Sequence, residues 1–384
     1  MKKNIGVARK VDIISIVFIS SILIIYFLLP KSLVFQVNGD FRLFPLYLQP
    51  WYLQRYLLIA VCLGYTCLIF CLGRVALTKL NVTYLIFTTL FLYFPFTQGN
   101  FVVLYAVVGV FSSYCLIYQV YKKRLPKALL WLSLACAFSY VCQYFLFKVS
   151  TRITSSFLDP NIAGYYLFLC FVIFRSANHK LLSLVAFMCG ALSLSRNFYL
   201  AVFVFEILNI PSVQHFFKYK LRFKSPEAVS LLSLILIIAI SIVFVNIANP
   251  NETIGSSSER LLNIHDGSNY SRAKANLEML GRLAEGDFWL NGQGNEMDGL
   301  TEHRPHNAFL RAIYRYGFAL SMLAFVGFFF VMKFNVIFNY AFFISIFSYY
   351  TLLNDFITGP DLTLMLCVGI ICSEFKLRNG NDTR

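Results

Sequence analysis

Charge is what this sequence has least of. Of its 384 residues, 13% are Asp, Glu, Lys or Arg, and the acidic sign is the scarcer, with 18 carboxylates against 33 basic side chains. Soluble domains carry about 25% charged residues, so a water-soluble surface is excluded. Short segments of alternating apolar and polar residues are also missing, which excludes an outer-membrane barrel. No CxxC or CxxH pair occurs, and all ten cysteines fall inside apolar stretches. Neither a disulfide framework nor a metal site is indicated, and Cys67 with Cys71, four apart, reads as ordinary helix packing. P-loop, Rossmann and Asp-rich metal motifs are absent as well.

What is abundant is apolar: 58% hydrophobic residues, with 41 Phe and 23 Tyr, and a mean hydropathy of +0.67. Twelve spans of about 20 residues would occupy roughly 240 positions, close to that share. The runs fall near 11–29, 56–72, 80–96, 101–120, 127–147, 161–174, 181–194, 197–210, 228–248, 308–332, 334–353 and 361–374. The expected fold is therefore an all-α polytopic membrane protein of about 12 transmembrane helices, a single integral membrane domain over 1–384. Residues 11–29 follow a basic start, but the run is too long for a cleaved signal and reads as a retained first span.

Placing the N-terminus in the cytoplasm puts 20 of the 33 basic residues, and with them the whole net charge of +15, on the cytoplasmic side. That asymmetry satisfies the positive-inside rule and predicts both termini inside. Basic residues spread over short loops meet anionic headgroups, so nucleic acid is not an expected partner. One large outer loop remains, 249–307, between the ninth and tenth spans. Ala273, Leu277, Leu280 and Ala284 lie at helical spacing within it and predict an amphipathic helix over 270–284 resting on the membrane surface.

Three outer-face segments concentrate polar residues. The first is Arg152 with Phe157 to Gly164, where Asp159 is suited to cap a helix, Pro160 to open it and Asn161 to follow. The second is Ser195-Arg196-Asn197, between two short apolar runs. An arginine there is costly unless it faces a partner or water, and an anion is its natural company. The third is Gly292-Gln293-Gly294 followed by His303 to Arg315. Asn307 looks like an N-cap, which sets His306 above a helix N-terminus, and Arg311 and Arg315 share one face at i and i+4.

His306 is the candidate base, with His303 and His265 as alternatives. Arg260, Arg272 and Arg282 add positive charge to the long loop. Many arginines, one or two bases and few isolated carboxylates suit binding a diphosphate and attacking the carbon beside it. Glu206 reads as the one acid embedded in the spans, too little for a proton relay.

The ordered segments "FLDPNIAG", "LSLSRNFYLAVFVF", "NYSRAKANLEML", "LNGQGN" and "RPHNAFLRAIYRYGFA" resemble the bacterial O-antigen ligase and Wzy-type polymerase superfamily over about 155–330. The resemblance implies a GT-C-like glycosyltransferase of the bacterial inner membrane. It implies a periplasmic active site and undecaprenyl-diphosphate-linked glycans as donor and acceptor, with no cofactor or metal.

It assigns Arg196 and Arg272 to the diphosphate and His306 to proton abstraction, and Asn197 stands where the family carries a small residue. Arg311, Arg315 and Arg152 would hold a second lipid diphosphate. A chain-length regulator is the protein partner implied. The Asp-Pro-Asn stretch and aromatic-rich spans resemble the polymerases more than the ligases, so polymerase is the expected activity and ligase the alternative. A flippase of lipid-linked oligosaccharide is the expectation from another class, disfavoured by the single large outer loop and the lack of paired halves.

Overall fold

A computed structural model of the chain describes residues 2–29, 50–72, 102–120, 124–146, 160–215, 267–293, 307–322, 341–342, 345–346, 349 and 360–381. Every regular element among them is an α-helix. We number them α1 (Lys2–Phe27), α2 (Pro50–Cys71), α3 (Val102–Val120), α4 (Lys127–Leu146), α5 (Pro160–Ser176), α6 (Lys180–Leu192), α7 (Arg196–Asn209), α8 (Pro211–His215), α9 (Gly267–Glu285), α10 (Ala308–Tyr316) and α11 (Pro360–Asn381). The chain divides into two compact units, the first formed by Met1–Lys79, Tyr105–Phe198 and Gly359–Arg384, the second by Leu80–Leu104 and Tyr199–Thr358.

In the first unit α5 is the central helix. Every residue from Ala163 to Phe174 is buried, as a helix apolar on all sides must be, and α4, α6 and α11 pack around it. The helix closes at Asn178, which adopts a left-handed φ of 63° while the His179 N–H donates to the Phe174 carbonyl at 2.9 Å. That six-to-one bond with asparagine in the left-handed position is a helix stop, and it turns the chain directly into α6.

Hydroxyls point inward. Ser112, Ser113 and Thr363 are buried and gather on the Gly109 carbonyl, with Ser113 Oγ 2.8 Å and Ser112 Oγ 3.0 Å from Thr363 Oγ1. Such bonds join helices where the interior offers no water. The outward side chains are apolar: Trp131, Phe138 and Phe145 at seven-residue intervals on α4, and Leu181, Leu184, Met188 and Leu192 on α6, are each half or more exposed. Two described helices are long and apolar enough to cross a membrane, Gln54–Cys71 and Lys127–Phe145, and four more apolar stretches are shorter.

The two ends of this unit differ. Arg378 donates to the Leu125 carbonyl and to Glu374 Oε1 (3.1 Å), and Asn379 Nδ2 reaches the Ser176 carbonyl at 3.1 Å. These bonds gather the start of α4, the end of α5 and the end of α11, and with them Arg124, Lys127, Arg175, Lys180 and Arg378, at one end. The starts of α5, α7 and α11 lie at the other.

In the second unit α9 runs Gly267–Glu285, covering the helix expected over 270–284, but its packed face is shifted from the expected row. Ala275 and Met279 are buried and Ala284 is exposed, while Met279 packs with Phe288, Leu310, Ile313 and Tyr314 and Leu280 of the expected row joins that cluster from its edge. The helix thus spends its apolar stripe on α10. The continuous span expected over 308–332 is also interrupted: α10 ends at Tyr316, Gly317 takes φ 87°, and helix resumes at 318–322.

Candidate functional site

The turn between α6 and α7 is built from short-range hydrogen bonds. The Ser193 N–H and hydroxyl both donate to the Gly190 carbonyl (3.1 and 2.6 Å), and the Leu194 N–H donates to Ala191 O at 3.0 Å. Leu194 holds φ 51°, uncommon for a branched side chain. Ser195 then opens α7, its carbonyl accepting from the Phe198 N–H at 3.0 Å.

Two long-range contacts hold this turn in place. The Ser195 hydroxyl, fully buried, donates to Asn161 Oδ1 at 3.0 Å. The Phe198 ring lies over Gly190, where a β-carbon would overlap it, and its centroid is 5.9 Å from that of Phe187. Two of the three polar segments are therefore in direct contact, with Pro160 in the first turn of α5 as expected. Arg196, half-buried, is the first residue of α7, and Asn197 beside it is buried. A cation at a helix N-terminus opposes the helix dipole. The helix N-terminus and the guanidinium together favour an anion at this turn.

The third segment is organised around the break in α10. The Asn307 side chain caps the helix, its Oδ1 accepting from the Leu310 N–H at 3.3 Å, and its carbonyl accepts from Arg311 N at 2.8 Å. The Gly317 N–H closes the far end on the Ile313 carbonyl (2.8 Å). Backbone groups left over by the break pair with 288–293. Phe318 N donates to Phe288 O (2.7 Å), Ala319 N to Trp289 O (3.1 Å), and Gln293 N to Tyr314 O (2.8 Å). These bonds take up backbone groups that the break would otherwise leave to water. The fit is close enough to require glycine twice: a β-carbon on Gly292 would meet the Arg315 carbonyl and Tyr316 N, and one on Gly317 the Leu290 carbonyl oxygen at 2.6 Å.

Arg311 and Arg315 are both half-buried on α10, one turn apart. Arg315 lies in the last turn of a nine-residue helix, an end where a cation is favoured, and not partway down the continuous span expected over 308–332. Arg272 lies in the second turn of α9. His306, Arg152 and Asp159, together with the alternatives His303, His265 and Arg260, lie outside the described residues. Arg196 and Asn161 belong to the first unit; Arg272, Arg311 and Arg315 belong to the second.

Sequence reasoning missed an acid. Glu206 is only half-buried, whereas Asp361 and Glu374 are buried. Glu374 pairs with Arg378, and Asp361 is an electrostatic neighbour of the Tyr26 and Tyr166 hydroxyls. Pro360-Asp361 marks a helix first turn, as Asp159-Pro160 does, which signals the position of Asp361 but not its burial. Burial of Asp361 removes the scarcity of embedded acids as a reason against a proton-coupled carrier.

No protein-family model, no curated protein and no solved structure matches this chain.

Proposed function

We propose that the chain is a multi-pass glycosyltransferase of the bacterial inner membrane, GT-C-like and with about twelve spans, that joins undecaprenyl-diphosphate-linked oligosaccharide repeat units on the periplasmic face. The observation that carries this reading is the difference between the two ends of the first unit. One end gathers Arg124, Lys127, Arg175, Lys180 and Arg378; the other presents Arg196 on a turn held by Ser195 and Asn161. A basic end suits the cytoplasmic surface, which leaves Arg196 outside with an anion-favouring helix N-terminus. The lipid-facing character of the reading rests on the exposed apolar stripes of α4 and α6 and on the buried hydroxyls of Ser112, Ser113 and Thr363 that pair between helices. The substrate class rests on the resemblance of the ordered motifs.

In the reaction His306 takes the proton from an acceptor sugar hydroxyl as that oxygen bonds to the anomeric carbon of the donor. The bond from that carbon to the diphosphate breaks, its electron pair leaves on the lipid diphosphate, and configuration inverts. The resemblance assigns the departing charge to Arg196 and Arg272, the role a divalent cation plays in other transferases. Arg311 and Arg315, with Arg152, hold the acceptor's own diphosphate when the acceptor is lipid-linked.

The test is a gel of surface polysaccharide from a deletion strain complemented with wild type, Arg196→Ala or His306→Ala. Core bearing one repeat unit in the deletion strain establishes a polymerase. Bare core with accumulated lipid-linked chains establishes a ligase instead. Bare core without such chains indicates the flippase. Full rescue by both variants would sink the proposed chemistry.

A further inference from the structure

Trp289 and Leu290 are adjacent large apolar residues with 54% and 58% of their surface exposed, within the large outer loop expected over 249–307. They are held in place. The Trp289 indole N–H donates to the Leu283 carbonyl at 3.0 Å, its ring lies 5.2 Å from that of Phe318, and its own carbonyl accepts from Ala319. With the indole N–H used internally, what Trp289 presents outward is hydrocarbon. Asp287, Asn291 and Gln293 on either side are exposed and polar.

The place of this pair follows from the break at Gly317. Among the described side chains of α10 all but Arg311 and Arg315 are buried, several of them against α9 and Phe288, so none of these presents an apolar lipid-facing surface. Uncharged apolar sequence begins after it, running 318–332 up to Lys333. Phe318, against which Trp289 rests, is the first residue of that run. A rigid tryptophan at the junction of a polar segment and a membrane-spanning run is the residue that bilayer interfaces select.

We infer that Trp289 and Leu290 insert into the outer headgroup and acyl boundary of the bilayer and fasten the α9–α10 pair to the lipid surface. This rests on the membrane reading above but on neither the glycosyl transfer nor its residues. The anchor fixes the height of α9, and so of Arg272, above the lipid.

The test uses the full chain in lipid nanodiscs with Trp51→Phe and Trp131→Phe, leaving Trp289 as the single indole fluorophore. Its emission should be largely quenched by lipids brominated near the carbonyl end of the acyl chain, less by tail-end bromination, and little by aqueous acrylamide. Should that variant fail to fold, the same series on wild type minus Trp289→Phe isolates the same signal. Quenching by acrylamide and by neither lipid would overturn the inference. So would acrylamide quenching that only an added lipid-linked oligosaccharide relieves, since Trp289 would then face glycan. Release of the wild-type chain from membranes by alkaline carbonate would overturn the membrane reading itself, and is scored separately.

Discussion

Substituting alanine at Gly292 tests the geometry that joins 288–293 to the broken helix. The added β-carbon would fall on the Arg315 carbonyl group and the Tyr316 nitrogen, all backbone, so no side chain can rotate away. Restoring an ordinary separation of about 3.5 Å requires the segment to withdraw by roughly 1 Å. The Gln293 N–H···O=C Tyr314 bond, now 2.8 Å, is lost in that movement, at a cost of about 1 kcal/mol. Overpacking adds about 1–3 kcal/mol, for a total of roughly 2–4 kcal/mol.

The assay is thermal unfolding in detergent, followed by loss of the monodisperse gel-filtration peak. The expected drop in midpoint is about 2–5 °C. Gly281→Ala supplies the control, because it lies inside α9 with nothing within 4 Å of its β-carbon. There alanine should stabilise by about 0.5–1 kcal/mol, raising the midpoint slightly. A Gly292→Ala protein melting at or above wild type would refute the close fit and the pairing derived from it.

Asn307→Ala removes the acceptor of the Leu310 N–H and should cost about 0.5–2 kcal/mol, with Asn307→Ser recovering most of it; equal melting of all three proteins would deny the cap its role. Ser195→Ala deletes the hydroxyl donor to Asn161, with an expected cost of about 1 kcal/mol. At unchanged protein level in the membrane, surface polysaccharide should fall because the Arg196 turn loses its tether, while Ser195→Thr retains it. Wild-type polysaccharide from Ser195→Ala would mean that the tether does not position Arg196.

Composition and local pattern by themselves determined much of this protein. An apolar, charge-poor chain leaves helices as its elements, Pro160 and Asn307 mark helix starts, and the polar triplet Ser195-Arg196-Asn197 signals a break between two short apolar helices that falls slightly earlier, at 193–195, with Arg196 and Asn197 already in the second helix. These signals act within one turn of backbone, so a linear reading finds them. The helix at 267–285 was equally legible, but its orientation was not. Ala273, Leu277, Leu280 and Ala284 and the alternative row through Ala275 and Met279 are both helically spaced, and only the presence of Phe288, Leu310 and Tyr314 decides which row is buried.

Tertiary structure alone decided the rest. Ser195 meets Asn161 across 34 positions of sequence because α6 folds back along α5, and no spacing rule encodes that partner. Gly317 sits inside an apolar run that reads as one span, yet the helix stops there because 288–293 supplies the backbone partners that continuation would otherwise provide. Asp361 looks like a helix-start residue and is buried among tyrosines from α1 and α5. In each case the deciding free energy is a contact between segments remote in sequence, which local propensity does not contain.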